Sequence, residues 1–259
     1  MSWLMLVVLI SSVAFGYEVS ESQTEWIRKF QTKVDRHIPD FDKILLNTDS
    51  EPKLEGGFKE MYNQKDLSGW RIIANDPQRV STFEADGDVI VGSHVPGATN
   101  TYLWTTEEYD DFIFTCEIKW LIPLNTGVQF RSMPKKGKDG NLIMTGPQVE
   151  MENPIQAKQG RCWSGGIYGQ GLGGYFYVPI LEAHQAARAA TNYDDWNRVT
   201  IKAEGNNVKT WINGVPVANW NTEKHLRGAF GFQLHEGKEG KALFRNIRIK
   251  ELSEQAVVK

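Results

Sequence analysis

The run Trp196-Asn-Arg-Val-Thr-Ile-Lys-Ala-Glu204 is followed by Gly205-Asn206-Asn207, then by Val208-Lys-Thr-Trp-Ile212, Asn213-Gly214 and Val215-Pro-Val217. Apolar and polar residues alternate along each run, the period of a strand with one buried face. Asn213-Gly214 supplies the positive φ angles of a type I′ hairpin turn. Pro216 cannot donate to a ladder, which confines the last run to an edge or a short strand. Outward from this hairpin, the chain between Gly57 and Leu252 reads as further short alternating segments split by turn signals. It lacks the long helical periods of a parallel α/β fold, so the expected architecture is an all-β, mostly antiparallel sandwich. One helical insertion is expected, Glu182 to Ala190, in the long connection between Gly171 and Asp195; such connections often form lids or rims. The glycine run Gly169-Gln-Gly171-Leu-Gly-Gly174 has neither a following helix nor a Lys-Ser/Thr ending, so it reads as a turn rather than a phosphate loop. The chain contains no HExxH or GxSxG and no internal repeat.

The first residues, Met1 to Gly16, form an apolar run shorter than the roughly 20 residues that cross a bilayer. It ends in Ala14-Phe15-Gly16, small residues that suit signal-peptidase cleavage, although the first cation is Arg28. A cleaved signal implies export to the periplasm or the extracellular space, with no transmembrane span left in the mature protein. Ser22-Gln-Thr-Glu25 has the capping-box pattern, and Trp26, Phe30, Val34 and Ile38 recur at helical spacing until Pro39. These residues predict one amphipathic helix, joined to the rest by the polar stretch Asn47-Thr-Asp-Ser-Glu-Pro-Lys53. The expected organisation is a signal peptide over 1–16, a helical extension and linker over 17–56, a β domain over 57–252 and a tail over 253–259.

A chain of 259 residues, 41% hydrophobic and 24% charged, can bury a sizeable core. With Lys+Arg 29 against Asp+Glu 32 it has no basic field to hold a polyphosphate, which argues against nucleic acid as a partner. Nine tryptophans are more than a core needs, and indoles stack well on sugar rings. Cys116 and Cys162 form neither a CxxC nor a metal-binding spacing. Cys116 falls in the alternating run Phe112, Phe114, Cys116, Ile118, where it reads as a small buried hydrophobe rather than half of a disulfide.

Chemistry concentrates in Gln148-Val-Glu-Met-Glu152. On a strand, Gln148, Glu150 and Glu152 share one face at intervals of roughly 7 Å, while Val149 and Met151 enter the core. The same arithmetic turns Glu117 and Lys119, Gln129 and Arg131, and Gln233 and His235 outward from their apolar neighbours. Any wet sheet face alternates in this way. The mixture of Arg, Gln, Glu and a strand histidine is more particular, because these groups orient hydroxyls and move protons. Among the aromatics, Trp163 and Tyr168 lead into the glycine turn and are candidates to touch a ligand, whereas Trp120, Tyr175, Tyr177 and Trp211 read as packing. His37, His94, His184 and His225 read as solvated side chains. Glu150 or Glu152 with His235 offers the oxygen and imidazole ligands of Mn²⁺, Zn²⁺ or Ca²⁺, so a divalent cation is a candidate cofactor that the sequence alone does not decide.

Several stretches together resemble the 3-keto-disaccharide hydrolase domain family, long known as a domain of unknown function. They are Gly57-Phe-Lys-Glu-Met-Tyr-Asn-Gln-Lys-Asp-Leu-Ser-Gly-Trp70, Asp88-Val-Ile-Val-Gly92, Tyr109-Asp-Asp-Phe-Ile-Phe114, Asn125-Thr-Gly-Val-Gln-Phe-Arg131, Gly146-Pro-Gln-Val-Glu150, Trp211-Ile-Asn-Gly214 and Phe244-Arg-Asn-Ile-Arg-Ile-Lys250. Asn125-Thr126-Gly127 departs mildly from the Asn-Ser-Gly of many members, and the N-terminal helix lies outside the pattern. The resemblance implies a concanavalin-like jelly roll of two antiparallel sheets, bacterial export, and a carbohydrate substrate whose sugar is oxidised to a ketone at C3. Cleavage then proceeds by proton abstraction at C2 and elimination of the aglycone, which needs a base, a positive group at the enolate and an acid. The expected roles are His235 or Glu150 as base, Arg131 and Lys119 or a bound cation at the enolate, and Glu152 as acid. Gln148, Glu117, Gln129 and Gln233 would contact substrate. Two other readings stay open: a retaining glucanase-like glycosidase, with carboxyl groups about 5 to 5.5 Å apart, and a non-catalytic carbohydrate-binding module. The sequence carries no signal for oligomeric state.

Overall fold

A computed structural model describes residues 38–137, 140–153, 155 and 162–252. The expected signal over 1–16, the amphipathic helix as far as His37 and the tail over 253–259 lie outside the described residues. In chain order the described strands are β1 Leu45–Leu46, β2 Lys59–Glu60, β3 Trp70–Ala74, β4 Thr82–Asp86, β5 Val89–His94, β6 Thr101–Thr105, β7 Phe112–Ile122 and β8 Thr126–Lys136. They continue as β9 Leu142–Met151, β10 Ile167–Gln170, β11 Tyr175–Tyr177, β12 Asn197–Glu204, β13 Asn207–Ile212, β14 Val215–Asn221, β15 Ala229–Leu234 and β16 Gly240–Glu251. One sheet runs β1-β14-β13-β12-β7-β16-β5-β4, with β2 also paired to β16, and the other runs β11-β10-β9-β8-β15-β6-β3. Every pairing is antiparallel, so the chain forms the expected two-sheet sandwich.

The hairpin that predicts the fold forms with a tighter first turn than its glycine suggests. Asn207 pairs with Glu204, leaving Gly205-Asn206 as a two-residue turn. Asn213 and Gly214 take φ of 51° and 84°, the left-handed pair that a type I′ turn requires. Pro216 lies on β14, whose free side is met by β1 only at Ala218 and Asn219, so its missing N–H interrupts no ladder.

Apolar alternation drives the two sheets together. Phe112, Phe114, Cys116 and Ile118 of β7 are fully buried, as are Val128 and Phe130 of β8 and Val149 and Met151 of β9. Across the interface the Phe114 and Phe230 rings stack at 4.4 Å, and so do Phe232 and Phe244. Truncating one such phenylalanine to alanine costs about 3 to 5 kcal/mol in a packed core. Cys116 is buried and unpaired, and burial pushes its thiol well up. Cys162 is likewise free.

The stretch read as a linker is fastened to the sandwich. Asn47 donates to the Thr210 carbonyl, Lys209 reaches Asp49 at 2.5 Å, and Glu51 takes two bonds from Arg198 and one from Thr200. Its polar composition thus satisfies partners on β12 and β13 rather than keeping it solvated. The insertion forms a 3₁₀ turn, Glu182–His184, and a helix, Gln185–Ala189. Among the described residues no helix is long and apolar enough to cross a membrane.

Candidate functional site

Three strands of the seven-stranded sheet set the centre of the site. In the β9-β8-β15 ladder Glu150 stands opposite Gly127, and Gly127 stands opposite Gln233. A glycine in the middle of that row is a requirement: a Cβ at position 127 would come within 2.7 Å of the Gln148 Nε2 atom. With that space free, the Gln148 amide donates to Gln233 Oε1 at 2.9 Å and to Glu150 Oε2 at 3.2 Å. Gln233 donates onward to Gln170 Oε1 and to the Tyr102 hydroxyl. Burial pushes the Tyr102 phenol well up, so it stays neutral.

These side chains floor a cleft of about 540 Å³, with Asn125, Tyr168 and Tyr175 on its walls and His235, Glu236 and Lys238 at its rim. Glu150 is only 4% exposed. Asn125 Nδ2 donates to its other carboxylate oxygen at 2.5 Å. Two amide donors therefore fix the orientation of a buried acid at the bottom of an open cleft. His235 Nδ1 lies 2.7 Å from the Glu236 carbonyl oxygen, which can only accept. Nδ1 thus carries a proton, and in the neutral ring Nε2 is the basic atom.

Of the residues expected here, Gln148, Glu150, Gln233, His235 and Tyr168 meet in the cleft. Gln129 lies directly beneath, fully buried, donating to Gln148 at 3.4 Å. The others are elsewhere. Glu117 and Lys119 sit on β7, which belongs to the nine-stranded sheet; Glu117 holds Arg245 and Asn246, and Lys119 pairs with Asp195. Arg131 lies within a break in the β8-β9 register, between Gln129 and Met133, and its guanidinium is directed to the carbonyls of Asp110, Gly205 and His225 and to Asp111. Glu152 lies one residue past the end of β9, where the alternation stops; it is fully buried and accepts from the Trp163 backbone N–H. Trp163 is also fully buried and packs edge-on against Tyr175, so it backs the wall instead of facing ligand.

Two histidines expected in solvent are buried. His94 is 1% exposed, held between the Ser81 hydroxyl and the Gly237 backbone N–H. His184, at 3%, contacts Tyr177 and the Leu181 N–H, and burial drops its pKa to about 4. Conversely, sequence reasoning assigned no site role to Asn125, Gln170, Tyr102 and Tyr175. Gln170 was findable as the i+2 neighbour of Tyr168; Asn125 sits in a loop, where no periodicity points to it. Among the described residues no three His, Cys, Asp or Glu side chains gather to hold a metal ion.

Comparison with known proteins adds an independent line. The sequence profile of the 3-keto-alpha-glucoside-1,2-lyase-like domain matches residues 57–250. Two proposed glycosyl hydrolases from Parabacteroides distasonis have similar structures. One is 18% identical with a TM-score of 0.51, covering 75% of this chain and 99% of the other. The second is 22% identical with a TM-score of 0.53, covering 76% and 95%. A Bacillus subtilis protein of unknown function with a galectin-like fold is 15% identical, with a TM-score of 0.53 over 75% of this chain and 98% of that one. Likeness at these identities is a likeness of fold. No curated protein matches the sequence.

Proposed function

We propose, from the premise that this chain belongs to the 3-keto-alpha-glucoside-1,2-lyase-like domain family, that its cleft cleaves 3-keto-glycosides by elimination. The observation that carries this reading is Glu150, a buried carboxylate oriented by Asn125 and Gln148 on the floor of an open, amide-lined cleft. A ketone at C3 acidifies the hydrogen on C2. Glu150 takes that proton, the C–H electrons form the enolate, and the C1–O bond breaks with its electron pair leaving on the aglycone oxygen. His235 at the rim enters the step doubly protonated and gives its Nε2 proton to that oxygen; as water adds at C1, the imidazole takes back a proton from the water and Glu150 returns its proton to C2. Lys238, on the same rim, brings a cation to the cleft in the role that Arg131 and Lys119 are too distant to fill. Amides and phenols suit a neutral polyhydroxyl substrate, since each both donates to and accepts from hydroxyl groups.

The position of Glu152 bears on the glycosidase alternative. A retaining mechanism needs a second carboxyl group about 5 to 5.5 Å from the first, facing the same bond, and Glu152 is turned into the core against Trp163. Export through residues 1–16 remains part of the proposal.

The test is to incubate the purified protein with a 3-keto-disaccharide and with its unoxidised parent, each with and without chelator. Monosaccharide released from the keto sugar alone is the expected result. Equal release from the parent would replace this reading with an ordinary glycosidase, and binding without release would replace it with a binding module. Loss of release with chelator would add a cation to the site.

A further inference from the structure

The rim that carries His235 and Lys238 is the connection from β15 to β16, and it is tied down in an unusual way. Three successive backbone N–H groups are each captured by a different segment: His235 by the Asn125 carbonyl at 3.2 Å, Glu236 by Asn100 Oδ1 at 2.7 Å, and Gly237 by His94 Nε2 at 3.2 Å. Two of these acceptors are amide oxygens that keep their lone pairs at any ordinary pH. The third is a histidine nitrogen, which accepts only while it is unprotonated. His94 ends β5 and is 1% exposed, with Ser81 Oγ on its other ring nitrogen at 2.8 Å. Its ring therefore links the nine-stranded sheet to the loop that overhangs the cleft.

We infer that His94 is a positioning residue whose neutral imidazole clamps Gly237, and through it the His235–Lys238 rim, so that the rim loosens when the ring takes a second proton. A proton on Nε2 would face the Gly237 N–H, donor against donor, and the bond between them would be lost. Glycine at 237 lets the loop take a φ of 153°, one that side-chain-bearing residues rarely adopt, where its N–H meets the ring. Burial pushes the His94 pKa down. The charged groups facing the ring, His235 and Glu236, both sit on the clamped loop and act in opposite directions, His235 lowering and Glu236 raising it. A histidine held neutral by the closed state contributes fully above its ordinary pKa of about 6.5 and loses that contribution as pH falls towards the lowered value.

Hydrogen exchange at the Gly237 amide, followed by NMR and corrected for intrinsic rates, reads the clamp directly. In the wild-type chain, protection of Gly237 should fall by up to about tenfold per pH unit as pH drops from about 6.5 towards the lowered value and level off below it, while the Leu103 and Phe232 amides inside the sheet stay flat. His94→Gln places an amide oxygen near the Nε2 position and cannot titrate, so its Gly237 protection should persist and lose the pH dependence. His94→Phe should lose protection at every pH. Should the Phe variant fail to fold, the Gln variant decides. A wild-type Gly237 whose protection ignores pH, or a Gln variant that keeps the acid-induced loss, overturns the inference. The activity arm rests on the reading of the cleft as a 3-keto-glycoside site: turnover of a 3-keto-disaccharide should show an acid limb in the wild type that moves to lower pH in His94→Gln. If no keto sugar is turned over, that reading fails alone, because the exchange measurement involves no substrate.

Discussion

Two strands in this sandwich read almost alike and do different work. On β7, Glu117 and Lys119 alternate with Cys116 and Ile118; on β9, Gln148 and Glu150 alternate with Val149 and Met151. Both polar pairs face away from the core. On β7 they meet long side chains at the surface, where Glu117 bonds Arg245 at 2.7 Å and Lys119 pairs with an Asp195 that is 63% exposed. On β9 they are almost wholly covered, and their partners are the short, uncharged amides of Asn125, Gln129 and Gln233. Alternation tells which way a side chain leaves its strand. What stands over it depends on the neighbouring strands and on the loops that rise around them, and only there does a wet face become a site.

Substitutions test that contrast. The largest effect should come from Glu150→Gln, which keeps the shape and removes the base; kcat on a 3-keto-glucoside should fall roughly 10²- to 10⁴-fold in a protein that still folds, at a cost of about 1 to 3 kcal/mol because the new NH2 faces the Asn125 or Gln148 donor. A loss under tenfold would erase the distinction between the two strands. Arg131→Met should act on folding instead: it strips the partner from Asp111 and the donors from three carbonyls, and urea unfolding should show about 3 kcal/mol of lost stability. Turnover per folded molecule should hold, and a fall without destabilisation would return Arg131 to the site. Glu152→Gln retains an oxygen for the Trp163 N–H and should cost about 1 kcal/mol, with kcat at the wild-type level. Smallest is Glu117→Ala, whose partly exposed pair with Arg245 should be worth about 0.2 to 1 kcal/mol, again with kcat unaltered.

The fold was largely readable because its signals are local. Asn213-Gly214 defines its turn within a few residues, and the buried halves of β7, β8 and β9 are written as period-two runs. The candidate site was readable at Gln148, Glu150 and Gln233 and, one residue past β15, at His235, where the period of two carries, and at Tyr168 from its place before the glycine turn. It failed where the period ends, as at Glu152 past β9, and where a register break intervenes, as at Arg131 on β8. Strand alternation also cannot say which sheet a strand joins, which is why Glu117 and Lys119 were grouped with residues on the opposite sheet. His94 shows the converse: a histidine before a Pro-Gly turn looks solvated until the loop from a distant strand closes over it.

Glycine at 127 leaves the Gln148 amide lying across the floor between Glu150 and Gln233, and a primary amide is not symmetric. Gln148 commits both its protons, one to each neighbour, so its oxygen must turn to Gln129; Gln233 in turn offers its oxygen to Gln148 and its protons to Gln170 and Tyr102. The row therefore has a head and a tail, with the carboxylate at the head dictating every orientation behind it. With the protons of Gln148 and Gln233 spent inside the row, a ring of hydroxyl groups laid along it would meet their remaining lone pairs in one fixed order, and inverting a single carbon of the sugar would put one hydroxyl out of step with it.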